Sequence, residues 1–252
     1  MASELNCTQF TEPWPDPGTP GADDITMTWL INTVVKAYNP YHYYLLTSIV
    51  SFSFISNILI SIVLSRKEMR SSGTNVTMFI ISICDFGCAV SGLIQVFVKN
   101  YTAKYSLAGI VFLHMTVDYL TVVLHASSLF LAVSLAFCRV MSLKITNKNR
   151  SQWQSPKYAV RMALGLCSPI VVSASSVLFM NSVQEDEEEG VHLQISDLSL
   201  ANGCLYMKLI LLNGGIYLKL VPCFSMLILS LTLLKQMEEG KENTSRSRSD
   251  KQ

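Results

Sequence analysis

Apolar and polar residues run along this chain in long blocks, not at the short periods of a soluble fold. A helix needs about 20 mostly apolar residues to cross roughly 30 Å of hydrocarbon, and five segments meet that requirement: residues 43–64, 76–98, 107–143, 159–181 and 207–234. The third is long enough to require tilt or extension beyond the membrane. The fifth carries Pro222 two-thirds of the way along. The pattern predicts an all-α membrane protein of five transmembrane helices, flanked by a tail over 1–42 and another over 235–252. Between Asp23 and Val35 a short amphipathic helix is expected, in a tail otherwise loop-like and proline-rich. The tail shows no basic segment followed by an apolar one, so the first span is expected to drive insertion.

Charge placement sets the orientation. Only 15% of residues are charged, against about 25% in soluble domains. The loop after span 1 carries Arg66, Lys67 and Arg70, and the loop after span 3 carries Lys144, Lys148, Arg150, Lys157 and Arg161. Acids gather in the first tail and in the run Glu185-Asp186-Glu187-Glu188-Glu189 after span 4. Short basic loops stay cytoplasmic, so the N-terminal tail is expected outside and residues 235–252 inside, as a disordered polar tail. On the outer side Asn6-Cys7-Thr8 is an acceptor sequon, and Cys7 and Cys204 are the two cysteines able to pair there. The net charge of +1 gives no reason to expect nucleic acid as a partner. The lipid bilayer is the partner the pattern demands.

Ionisable residues inside spans are costly and usually face a polar interior. Asp85 lies in span 2, Lys219 in span 5, and His114, Asp118, His125 and Arg139 in span 3. At about 100° per residue, the four in span 3 share a stripe of roughly 80° with Thr121 and Ser128. Asp118 and His114 are candidates to face a ligand, and Asp118 is also a candidate partner for Lys219. Interhelical hydrogen bonding is the plainer role for Thr121 and Ser128. Asn57, Asp85 and Ser128 could form an oxygen-lined cluster for a small cation or ordered water, or a neutral hydrogen-bonded core. No catalytic motif, phosphate loop or metal-ligand spacing occurs, so neither an enzyme nor a cofactor is expected.

Several of these residues stand in motifs. Span 1 carries Ser56-Asn57, followed by Val63-Leu64-Ser65-Arg66-Lys67-Glu68-Met69-Arg70; span 2 carries Ser82-Ile83-Cys84-Asp85. Span 3 ends in Phe137-Cys138-Arg139-Val140-Met141, and span 5 contains Lys219-Leu220-Val221-Pro222-Cys223. In this order the chain resembles the rhodopsin-like G-protein-coupled receptors. It is most similar to the nematode serpentine receptors of class W, which resemble FMRFamide-type and sex-peptide-type receptors. The resemblance covers residues 43–240. It implies five helices of a seven-helix bundle truncated after the fifth, a plasma-membrane location, an extracellular peptide ligand and a heterotrimeric G protein as partner. Arg139 would contact the G protein, and Asn57, Asp85 and Ser128 would form a sodium-and-water cluster. The outer halves of spans 3 and 5, with His114, Asp118 and Lys219, would line the ligand pocket. The chain departs from the family in having Cys138 before Arg139 instead of an acid, and no cysteine at the outer end of span 3 to pair with Cys204. A non-signalling five-span protein that forms oligomers with full receptors is the alternative.

Overall fold

The computed structural model describes residues 25–101, 108–144, 155–186 and 190–249. Five helices among them are long and apolar enough to cross a membrane. Helix α1 spans Ile25–Leu64, α2 Gly73–Tyr101, α3 Ala108–Lys144 and α4 Pro156–Ala174. The fifth span is composite: α5 over Asp197–Leu212, a π-helical stretch over Asn213–Leu220, and α6 over Val221–Ser249. A 3-10 turn over Met69–Ser71 joins α1 to α2, and another over Ser175–Phe179 extends α4. Strands β1 (Asn181–Asp186) and β2 (Gly190–Ile195) form an antiparallel hairpin between α4 and the fifth span.

We call the end that holds this hairpin the hairpin end, and the end that holds Arg66, Lys67 and Arg70 the basic end. Helix α3 is the central element, packed against α2, α4 and α6, while α1 packs chiefly on α2. One apolar cluster joins Cys84, Leu131 and Ala163 across α2, α3 and α4; a second joins Ala126, Ile170 and Leu218 across α3, α4 and the fifth span. Outward faces remain apolar: Phe52 is 75% exposed and Ile49 65%. In water such a surface would aggregate; facing lipid tails it costs nothing, because the tails are as apolar as leucine.

Small residues set how closely the helices approach. A side chain at Gly87 would meet Leu124 Cδ1 at 2.8 Å, and one at Gly92 would meet the Val50 methyl groups at 3.3 Å. Gly87 therefore lets α2 close on α3, and Gly92 lets it close on α1. Local signals fix the helix starts. Ser155 Oγ accepts from the Tyr158 amide with Pro156 in the first turn, and Ser196 Oγ accepts from the Ser199 amide. Both are N-caps that satisfy otherwise unpaired donors.

The structure corrects the sequence reading at two places, the start of the first helix and residues 235–249, and adds two features the sequence reading did not address. Helix α1 begins at Ile25 and runs through Pro40 as one element, so no separate short helix precedes the first span. Residues 235–249 are helical, not disordered: the Lys-Gln-Met-Glu-Glu run is rich in good helix formers and has no proline to end it. Pro222 does not simply free one carbonyl. It follows a π-helical stretch whose widened turn takes up the missing amide, with the Val221 amide bonding Ile216 O, a known accommodation to proline. The loop after α4 is held as a hairpin and stitched to the bundle. Ser196 Oγ donates to Phe179 O at 2.7 Å, and the fully buried Ser199 donates to Met180 O at 2.9 Å.

Within α5 the backbone breaks, with Asn202, Gly203 and Cys204 all at positive φ. Asn and Gly adopt that region readily, a cysteine rarely. Cys204 is buried and disulfide-bonded. The other described cysteines (Cys84, Cys88, Cys138, Cys167 and Cys223) are free; Cys7 lies outside the described residues.

Two outcomes test this packing. Peptide mapping without reduction is expected to recover Cys204 joined to Cys7, and a free Cys7 thiol would contradict that pairing. Gly87→Leu is expected to destabilise the bundle by about 1–3 kcal/mol through overpacking against Leu124, read as a lower unfolding temperature in detergent. Gly87→Ala should cost less, because the Leu124 methyl can rotate away.

Candidate functional site

Polar groups in the bundle sort into three groups along its depth. At the hairpin end, Gln95 of α2 donates through Nε2 to Asp118 Oδ1 of α3 at 2.6 Å. His114 Nδ1 lies 2.9 Å from Asp118 Oδ2, one turn away on the same helix. Nδ1 is buried and has no hydrogen-bond partner among the described residues, so the two groups are in close contact without a directed bond. Both side chains remain about one-third exposed. The result is a carboxylate fixed by an amide and an imidazole, still open to an incoming cationic or hydrogen-bonding group.

In the middle of the bundle the expected cluster is not directly joined. Asn57 is nearly buried, but its amide donates to Ser53 O at 2.9 Å and Ser53 Oγ at 3.1 Å, within α1. Ser128 is buried and Asp85 half-buried, and no hydrogen bond links Asn57, Asp85 and Ser128 among the described residues. The direct α1–α2 link lies one turn on: Ser61 Oγ and Ser82 Oγ are 2.9 Å apart. The Ser82 hydroxyl donates to Phe79 O at 2.8 Å, so the proton between the serines is Ser61's. The sequence held a signal for this seam in Ser53, Asn57 and Ser61, spaced four apart on one face of α1. No group of three His, Cys, Asp or Glu side chains able to hold a metal occurs among the described residues.

On the far side of α3 a second seam ties α4 to the fifth span. Ser173 and Asn213 exchange contacts at 2.8 and 3.0 Å, Tyr206 donates to Ser176 O at 2.8 Å, and the Phe130 and Tyr217 rings sit 5.6 Å apart. Asn213 opens the π-helical stretch, so this bond anchors the irregular backbone where it begins.

Other expectations fare differently. Lys219 is exposed and forms no ion pair with Asp118 among the described residues; Gln95 and His114 take that carboxylate instead. The polar stripe of α3 does not face one interior along its whole depth. Ser128 is buried and Thr121 half-buried, but His125 and Arg139 are exposed. Arg139 lies near the basic end of α3, its carbonyl accepting from Ser142 Oγ at 2.9 Å, with no acidic partner among the described residues. Asn6 lies outside them.

A double-mutant cycle on Ser61 and Ser82 tests the α1–α2 seam. Each alanine variant should cost about 0.5–1 kcal/mol, and the double variant little more than either. Strict additivity would show that the two hydroxyls do not interact.

The family model for the serpentine type 7TM GPCR chemoreceptor Srw matches residues 43–252. The chain is also similar to the G-protein coupled receptor dmsr-1 of Caenorhabditis elegans, with 26% identity over 241 residues. That alignment takes in 85% of this chain and 46% of the relative, so the chain spans about half the length of the receptor it matches.

Proposed function

The chain belongs to the serpentine type 7TM GPCR chemoreceptor Srw family, and on that premise we propose that it is a plasma-membrane receptor for a small extracellular peptide, coupled to a heterotrimeric G protein. Its hairpin end faces outward, as the basic loops at the other end favour. The observation that carries this reading is the fixed, part-exposed carboxylate of Asp118, held by Gln95 and flanked by His114. A carboxylate kept in place but open to solvent is suited to a ligand cation, because its orientation is settled before binding. The acidic run 185–189 of the sequence adds to the attraction for a basic peptide. At the other end, the exposed Arg139, which has no acidic partner among the described residues, would meet a cytoplasmic partner.

Asn57, Asp85 and Ser128, which no direct hydrogen bond links among the described residues, would be joined through water between these two ends. Lys219, one turn before Pro222, lies where the fifth span is most irregular and so most easily moved by a ligand. Asn6 carries the glycan of the outer tail.

A G-protein activation reporter in cells that display the chain, challenged with short basic peptides, tests the proposal. Arg139→Ala is expected to abolish the response at unchanged surface level. Asp118→Asn should shift potency by about 10–100-fold, the worth of a hydrogen bond to a charged group. Silence at full surface display, together with retention of a co-expressed full-length receptor, would contradict signalling and favour a non-signalling assembly partner.

A further inference from the structure

At the basic end, an open groove of about 680 Å³ lies between the end of α1, the start of α2 and the start of α4. Its floor is apolar, with Val76, Phe79 and Val160 among the lining residues, and its rim holds Arg70, Lys157 and Arg161. No acidic side chain is among its described lining residues. The Arg70 guanidinium carbon sits 5.8 Å above the Phe79 ring centroid, which holds that cation over the apolar floor.

The placement of these charges runs against local preference. Lys157 and Arg161 are one turn apart on α4, a spacing at which like charges repel. They also stand in the first two turns of that helix, whose N-terminal dipole favours anions, and its first turn holds no acid. The inside-positive bias accounts for cations in the loops, but not for three that converge on an apolar groove. An anion between them would relieve both the mutual repulsion and the conflict with the helix dipole.

We propose that this groove holds one anionic phospholipid, with its headgroup phosphate among Arg70, Lys157 and Arg161 and an acyl chain along Val76, Phe79 and Val160. A lipid fits where a soluble anion does not, because the groove combines three cations with an apolar lining at the ends of three spans. The site would couple the 3-10 turn over Met69–Ser71 to the start of α4. The proposal rests on the five-span reading and does not depend on the ligand or on which side of the membrane the loop faces.

Native mass spectrometry of the full chain tests it, in phosphatidylcholine micelles doped with phosphatidylserine or a phosphatidylinositol bisphosphate. The wild-type chain is expected to retain the anionic lipid over phosphatidylcholine, with retention rising with headgroup charge. Each neutralised cation should lower it about fivefold, and R70Q/K157Q/R161Q together roughly a hundredfold. The charge-preserving pair Arg70→Lys and Arg161→Lys should keep most of it. Val160→Trp, which fills the floor without touching charge, should also displace the lipid and serves if the triple variant does not fold. Unchanged retention in a folded triple variant, or in Val160→Trp, would overturn the proposal. Micelles have no sides, so a wrong orientation leaves this measurement unaffected and a failed lipid site leaves the receptor reading intact.

Discussion

Inside hydrocarbon a backbone amide or carbonyl has no water to bond, so each span must satisfy its own backbone as a helix. Everything distinctive in this chain follows from how it meets or strains that requirement. Where it is met without difficulty, as along α2 and α3, the side chains are free to decide which helices touch. Glycines then decide how closely: Gly87 and Gly92 bring α2 onto α3 and α1. Where it is strained, as at Pro222, the chain widens into a π-helical stretch and anchors its start by the Asn213–Ser173 bond. The non-helical backbone at Ala201–Cys204 falls beside the hairpin, outside the stretch that must cross hydrocarbon.

The same constraint explains what sequence could and could not reveal. Span number and approximate limits were legible because a block of apolar residues has few alternatives to a membrane helix. The hairpin was not, since its strands are short, polar and interrupted by acids, and it is held by Ser196 and Ser199 bonding to the end of the 3-10 turn. Helical periodicity placed His114, Asp118, Thr121, His125, Ser128 and Arg139 on one side of α3, but it could not say which neighbour covers which part of that side. Asp118 meets Gln95, a residue with no motif around it, while Lys219 turns out exposed. Pairing between helices depends on relative height and rotation, and neither is written in a single span. Ser61 and Ser82 were missed for the same reason: two ordinary serines become a seam only when two helices align them.

The site at the hairpin end and the exposed arginine at the basic end are linked through α3, which packs on α2, α4 and α6. In the proposed receptor, a ligand that disturbs the Gln95–Asp118 bond would act on the α2–α3 contact. A ligand that moves the fifth span would act on the cluster of Ala126, Ile170 and Leu218. Both routes converge on the helix that carries Arg139. The lipid groove sits on the opposite flank, against α1, α2 and α4, and would steady that flank while the fifth span moves.

The receptor's function depends on which end of the bundle faces out. Single cysteines introduced at Gln184 in β1 and at Ser71 beside α2, both exposed, can be probed in intact cells with a membrane-impermeant maleimide. Labelling at Gln184→Cys in intact cells, with labelling at Ser71→Cys only after permeabilisation, is the result the account predicts. The reverse pattern would place Asp118 on the cytoplasmic side and Arg139 outside, and would contradict it.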